Sequence, residues 1–226
     1  MGNDMTAVKM DMEQARFNMI EQQIRPWEVL DPEVLDALAA VKREDFVPAA
    51  YQLLAFADIE LPIGNGQTML QPRIEARILQ ELAVKNTDIV LEVGGGSGYM
   101  AALLASKAEY VYSVEIDPAL AETARSNLQR AGVANVSIET GDASAGWPAQ
   151  GPYDVIVVSG SLPEAPEELL QQLKVGGRLA AFIGEAPVMQ ARLTTRTDEK
   201  AFNTINLFET LIAPLNTSKR RQRFVF

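Results

Sequence analysis

The chain has no histidine and no cysteine. Without cysteine it can form no disulfide, so it is not a disulfide-stapled scaffold. Zinc sites built from thiolate and imidazole are excluded, as are thiolate-held iron–sulfur clusters and haem ligated by His or Cys. A Ser-His-Asp triad or a Cys-His pair cannot be assembled within this chain. No imidazole titrates near neutral pH. There is also no apolar run of about 18 residues, so no transmembrane helix is expected. Chemistry must therefore come from carboxylates, hydroxyls, amides, Lys, Arg, Tyr or a bound cofactor, and no metal site is expected.

What is present is ordinary globular usage, with 47% apolar and 22% charged residues in 226. That length suits one domain with an appendage and a sizeable core. The net charge of −10 disfavours broad binding to nucleic acid or anionic membranes. Basic residues gather at the end: Lys219, Arg220, Arg221 and Arg223 fall in the last twelve residues, which carry no acid. This tail reads as a solvated segment, or as a strap for an acidic surface. The start Met1-Gly2-Asn3-Asp4-Met5-Thr6 fits the short myristoylation pattern but is expected to be a disordered lead-in to about Met10. No signal-peptide pattern is visible, so a cytoplasmic protein is expected.

The first third reads as helical. Glu13 to Ile24 spaces Phe17, Ile20 and Ile24 as one face, and Pro26 stops it. Asp31-Pro32 starts a second helix as N-cap and first residue, with Val34, Leu35 and Leu38 as the buried stripe. Residues 44–71 are expected to be irregular, a long loop of the functional kind. A helix follows from about Pro72 to Leu82. Strand–helix alternation then begins. Strands are expected at 89–93, 111–114, 136–138, 155–158 and 178–183, with two more near 188–196 and 205–213. Helices are expected from Tyr99, Asp117-Pro118 and Glu167. This pattern predicts an α/β fold, a doubly wound, mostly parallel seven-stranded sheet with an N-terminal helical extension. The parts are a lead-in (1–10), a helical and substrate-loop region (11–82), a Rossmann-like cofactor domain (83–214) and the basic tail (215–226).

The chemistry centres on Leu91-Glu92-Val93-Gly94-Gly95-Gly96-Ser97-Gly98-Tyr99, a glycine turn between a strand and a helix. Open parallel sheets bind ligands at such strand ends. A dinucleotide fingerprint needs glycine at its first, third and sixth positions; counted from Gly94 the sixth is Tyr99, so that pattern fails. The glycines fall at 94, 96 and 98, with Glu92 two residues ahead. An acid there suits a ligand bearing an ammonium or sulfonium better than a pyrophosphate. Glu115, after the second strand, is placed to accept both hydroxyls of a ribose. Asp142, followed by Ala143, is placed to accept from an adenine amino group. Asp154 leads the fourth strand toward Ser159-Gly160-Ser161. Together these acids and glycines point to S-adenosylmethionine.

On these residues the chain resembles the class I S-adenosylmethionine-dependent methyltransferases, and within them the protein-L-isoaspartate O-methyltransferase family. The closer likeness rests on Met19 to Ile24, on Val41-Lys42-Arg43-Glu44-Asp45-Phe46-Val47-Pro48 and on Leu61-Pro62-Ile63-Gly64-Asn65-Gly66-Gln67-Thr68. Gly141-Asp142, Gly146-Trp147, Tyr153-Asp154 and Gln172 to Gly177 follow in family order. The resemblance implies methyl transfer to the α-carboxylate of isoaspartyl residues in damaged protein, with S-adenosyl-L-homocysteine as product. It implies a substrate loop of Ile63, Gly64, Gly66, Gln67 and Gln71. Two departures stand out. Gln67-Thr68-Met69-Leu70-Gln71-Pro72 has Leu70 where the family has a serine, leaving Thr68, Ser159 or Ser161 to meet the acceptor. Ser159-Gly160-Ser161 stands where Thr-Ala-Ala is common. The tail from Lys219 also differs from the family's usual C-terminal segment, which helps shape the peptide site. An enzyme acting on another carboxylate or a small molecule, and a protein that binds the cofactor without turnover, remain as alternative readings. So does assembly as a homodimer.

Overall fold

The computed structural model describes residues 4–217, with side chains from residue 12 onward. The basic cluster Lys219–Arg223 and the residues before Asp4 lie outside the described residues. Helix α1 runs Asp4–Met19 and continues through a wider turn, Ile20–Ile24, into a short 3-10 turn at Arg25–Trp27. The helix thus begins well before the position expected from sequence, because nothing between Asp4 and Met12 breaks it: the stretch has no Gly or Pro and is rich in good helix formers. Met19, Ile20 and Ile24 face the core. Phe17, expected on the same face, is 57% exposed. A regular 100° step would have kept Phe17 in line with Ile24; the wider turn over Ile20–Ile24 shifts the buried face, and Arg16 takes the inward position instead.

Helix α2 (Pro32–Ala40) starts as expected, with the Asp31 carboxylate accepting the Glu33 N–H at 2.9 Å, and it buries Val34, Leu35 and Leu38. The stretch expected to be irregular contains 3-10 turns at Arg43–Phe46 and Ala49–Leu54 and a small antiparallel hairpin, β1 (Leu61–Gly64) with β2 (Gln67–Met69). The hairpin was hidden in the sequence because its strands are too short to show alternation. Its turn is the Gly64-Asn65-Gly66 triplet, all at positive φ. Helix α3 (Pro72–Leu82) follows directly.

The main sheet has seven strands in the order β5-β4-β3-β6-β7-β8-β9. These are β3 (Ile89–Val93), β4 (Tyr110–Glu115), β5 (Val136–Thr140), β6 (Tyr153–Leu162), β7 (Leu173–Glu185), β8 (Val188–Asp198) and β9 (Ala201–Thr210). The first five pair in parallel, and β8 and β9 return as an antiparallel meander on one edge. Helices α4 (Tyr99–Ala105), α5 (Pro118–Arg130) and the single turn α6 (Glu167–Leu170) supply crossovers. Helix α6 is shorter than expected, and β7 begins at Leu173, running through Gly176-Gly177 as an irregular stretch of the ladder with β6. The last strand ends at Thr210, so residues 211–217 are free to cross the sheet end.

Alternate residues of the central strands feed two cores. Val90, Val111, Val155 and Val157 pack with α1 to α5, whereas Leu91, Val93, Ile156 and Val158 pack with Leu169 and Leu173 on the other face. The period of two puts each face of β3 and β6 against its own cover. Burying each such aliphatic side chain contributes about 1.5–3 kcal/mol. Residues on both sides of position 82 share the first core, so the N-terminal helices are packed onto the sheet rather than tethered to it. Among the described residues no helix is long and apolar enough to cross a membrane.

Candidate active site

Sheet register gathers the site. Val93 pairs with Val114 on one side and Val158 on the other, and Glu115 pairs with Thr140. The residues that follow each strand, Gly94, Ile116, Gly141 and Ser159, therefore leave the sheet along one edge. Between them lies a cleft lined by Gly94, Gly96, Glu115, Asp142, Ala143 and Ser159, and also by Ile63, Gln67, Thr68 and Leu70, from the hairpin and the residue after it.

The glycine turn is built for close approach. Gly96 has φ +51°, and a Cβ there would stand 3.0 Å from Ile63 Cδ1 of the hairpin. Gly98, at φ +84°, starts α4 where a Cβ would press on Ala124 and Leu128 of α5 at 3.3 Å. Side chains at either position would strain the turn and push apart elements that meet at the cleft. Glu115 braces the turn: one carboxylate oxygen accepts the Gly96 N–H at 2.8 Å and the other the Asp117 N–H at 2.9 Å. Each oxygen can accept one further hydrogen bond. The hairpin tip is fastened to the same place, since the Asn65 side-chain amide donates to Asp117 at 2.7 Å. Asp142 accepts the Ser144 N–H at 2.9 Å, which holds its carboxylate at the cleft beside buried Ala143.

Glu92 occupies a different place from the one its spacing suggested. It is fully buried beneath the glycine turn, where its carboxyl accepts hydrogen bonds from the hydroxyls of Ser113 at 2.5 Å and Ser159 at 3.4 Å. Burial raises its pKa to about 8. The two hydroxyls oppose this, and the charges of Glu75 and Glu115 add to it. Glu92 thus underlies the cleft and reaches its wall through Ser159.

Asp154 does not join the site. It sits at the start of β6, where it accepts from the Ile89 N–H at 2.9 Å and the Lys174 ammonium at 2.7 Å. Strands of a parallel sheet begin at the edge opposite the ligand, so the reading of Asp154 as a cofactor residue is corrected: its carboxylate ties β6 to β3 and β7 at the far end. Gln71 also stays outside the cleft wall. It precedes α3, and its side-chain oxygen accepts from Arg73 at 3.3 Å. Gly64 and Gly66 shape the hairpin turn without lining the cleft. Thr68 lines it, but its hydroxyl donates to Glu60 at 2.9 Å. Leu70 lines it too, although the residue is buried and belongs to the hydrophobic core.

The residues missed from sequence are Ile212 to Asn216, which cross the end of β6 and roof the cleft. Ser161 donates its N–H to the Ala213 carbonyl and its hydroxyl to the Ile212 carbonyl, at 2.9 and 3.0 Å, and its own carbonyl accepts the Leu215 N–H at 2.9 Å. Gly160 makes this possible: a Cβ there would lie 2.9 Å from Leu215 Cα. A glycine between serines inside a strand was the available signal, because it marks a place where another backbone comes close.

The cleft fits S-adenosylmethionine on its own chemistry. It offers an acid with free lone pairs at Glu115, a second acid at Asp142, and a bare glycine backbone at 94–96. Three comparisons agree with this geometry. The protein-L-isoaspartate(D-aspartate) O-methyltransferase family model matches residues 14–220. A protein-L-isoaspartate O-methyltransferase of Koribacter versatilis is 40% identical over 212 residues, covering 94% of this chain and 93% of that one. Another, of Methanoculleus marisnigri, is 47% identical over 169 residues, covering 75% and 77%. Among solved structures, a protein-L-isoaspartate O-methyltransferase superposes with a TM-score of 0.78 at 29% identity, over 91% of this chain and 66% of that one. A Plasmodium falciparum chain described by the same activity, in complex with S-adenosyl-L-homocysteine, has a TM-score of 0.75 at 21% identity, over 91% and 98%, and shares the fold. With its sheet order, glycine turn and hairpin in place, the chain belongs to the protein-L-isoaspartate(D-aspartate) O-methyltransferase family.

Proposed function

We propose that this chain methylates the α-carboxylate of isoaspartyl residues in damaged polypeptides, using S-adenosylmethionine as donor. One observation carries the reading: Ile63, Gln67, Thr68 and Leu70, from the hairpin and the residue after it, line the same cleft as the donor-side residues Gly94, Glu115, Asp142 and Ser159. In the proposed assignment Glu115 holds the ribose hydroxyls, Asp142 and Ala143 the adenine, and Gly94 to Gly98 the remainder. When bound, the cofactor supplies an electrophilic methyl group on a sulfonium that leaves as a neutral thioether.

The chain itself needs to do little proton chemistry. A carboxylate with a pKa of about 4 arrives ionised at pH 7 and needs no general base. That suits a cleft whose only ionisable wall residues, among the described residues, are Glu115 and Asp142. The protein's task is placement, which can contribute about 7–11 kcal/mol to a two-reactant step. The acceptor carboxylate is negative, so its partners must be donors. Among the described residues, Gln67, Thr68, Ser144, Ser159 and Asn216 are the wall side chains able to donate, and Thr68 and Ser159 already donate to Glu60 and Glu92. Leu70 supplies none. An isoaspartyl residue carries its α-carboxylate as a free branch, and the methyl ester then favours closure to a succinimide that reopens without the enzyme.

The test is incubation with labelled donor and a matched pair of peptides, one isoaspartyl and one aspartyl. Base-labile ester on the isoaspartyl peptide alone is the expected result. Cofactor binding without ester on either peptide would refute the substrate assignment.

A further inference from the structure

Beneath the cleft lies a buried arginine that the catalytic reading leaves unused. Arg43 has no solvent exposure. Its guanidinium reaches four separate segments. Nε donates to the Ala55 carbonyl at 2.9 Å, one terminal nitrogen donates to the Leu70 carbonyl at 2.5 Å, and the other pairs with Glu75 of α3. Its plane lies 4.9 Å from the centre of the Tyr99 ring. Tyr99 is the first residue of α4, directly after Gly98 of the donor turn, and Leu70 is the last wall residue of the hairpin segment.

We propose that Arg43 is a positioning residue: it locks the acceptor wall, through the Leu70 carbonyl, to the helix that carries the donor turn. The proposal rests on the reading that residues 63–70 face the methyl acceptor. A side chain kept only for stability would not be an ion here, because well-packed apolar residues of similar volume usually serve a buried site at least as well as an ion pair. What apolar residues cannot reproduce is a rigid fork gripping two carbonyls from different loops while stacking on a third element. Holding the Leu70 carbonyl sets where the Leu70 and Thr68 side chains stand relative to Gly96. In-line transfer is sensitive to such placement: about 1 Å of error far from the chemistry can cost up to 10²-fold. A second buried arginine backs the same region, since Arg16 pairs with Glu44, the neighbour of Arg43.

Two variants test this. R43K keeps the charge opposite Glu75 but loses the fork. R43M/E75M removes both charges together and so leaves no unpaired ion to unfold the protein. Each is measured for cofactor Kd, for acceptor KM and kcat with an isoaspartyl peptide, and for amide exchange over residues 67–71 in the cofactor-bound enzyme. L169A, in the core on the other side of the sheet, serves as a control for lost stability alone. Expected for both Arg43 variants are a kcat/KM for the peptide lowered about tenfold, with kcat reduced and KM raised, a cofactor Kd within about twofold of wild type, and faster exchange at 67–71. L169A is expected to lower Tm while leaving kcat/KM and that exchange unchanged. Unchanged exchange and kcat/KM in folded R43M/E75M would overturn the proposal, as would L169A shifting both in proportion to its loss of Tm. Absence of any ester with the wild-type enzyme would instead overturn the substrate assignment, and the exchange data would still decide the role of Arg43.

Discussion

Replacing Glu92 by glutamine makes the cost of the buried acid under the glycine turn measurable. In the folded protein burial lifts this carboxyl from an ordinary 4.5 to about 8. In the unfolded chain it loses its proton near 4.5. Between those two values the folded state holds a proton that the unfolded state has released, so rising pH favours unfolding. The slope is about 1.4 kcal/mol per pH unit for one such group. From pH 5 to pH 7 the wild-type protein should therefore lose about 3 kcal/mol on account of Glu92 alone. The loss should continue to about pH 8 and then stop. A glutamine keeps an oxygen for the Ser113 hydroxyl and does not titrate. The assay is urea unfolding of both proteins without cofactor at pH 5, 6, 7, 8 and 9, followed by the fluorescence of Trp27 and Trp147. The gap between the two unfolding free energies should widen in favour of E92Q by about 3 kcal/mol from pH 5 to 7. A change in the Ser113 hydrogen bond shifts the whole curve without altering its slope. Parallel curves would refute the reasoning, because they would mean that Glu92 is ionised in the folded protein over this range.

Other substitutions probe the cleft itself. E115A removes the carboxylate that braces Gly96 and Asp117 and faces the cleft; each charged hydrogen bond is worth about 1.5–3 kcal/mol, so calorimetry should show cofactor affinity lower by at least about tenfold, and an unaltered Kd would remove the ribose assignment. L70S restores a hydroxyl to the acceptor wall and should raise kcat/KM for an isoaspartyl peptide by up to about tenfold, while lowering Tm through lost burial. An unchanged or lower rate would count against Leu70 facing the acceptor. D154N should leave cofactor affinity unchanged and lower stability by about 1 kcal/mol or less, as expected for a half-exposed pair; a tenfold loss of affinity would contradict its placement at the far edge of the sheet.

Much of this arrangement could be read from sequence because it is local. Strand β3, the glycine turn and α4 are contiguous, so spacing alone placed Gly94, Gly96 and Gly98, and the same reasoning carried Glu115 and Asp142 to the ends of their own strands. Errors arose where position along a strand mattered more than proximity in sequence. Asp154 precedes Ser159 by only five residues, yet a strand rises about 3.3 Å per residue, which puts them about 16 Å apart at opposite edges. The strap of residues 212–216 had no local pattern to announce it. Its place is set by the β8–β9 meander and by Gly160, more than fifty residues earlier. Glu92 was legible as an acid next to the turn, but its side chain's descent under the turn follows from the alternation of β3 and from the Ser113 hydroxyl on the neighbouring strand.

Regiochemistry tests the account most directly. A single peptide can carry an isoaspartyl residue, an ordinary aspartate and a free C-terminal carboxylate. After incubation with the enzyme and S-adenosylmethionine, fragmentation mass spectrometry locates each added methyl group. One methyl on the isoaspartyl α-carboxylate, with the other two carboxylates unmodified, is the predicted result. A methyl on the aspartate side chain or the C-terminus, or none on a peptide incubated with cofactor-saturated enzyme, would contradict it.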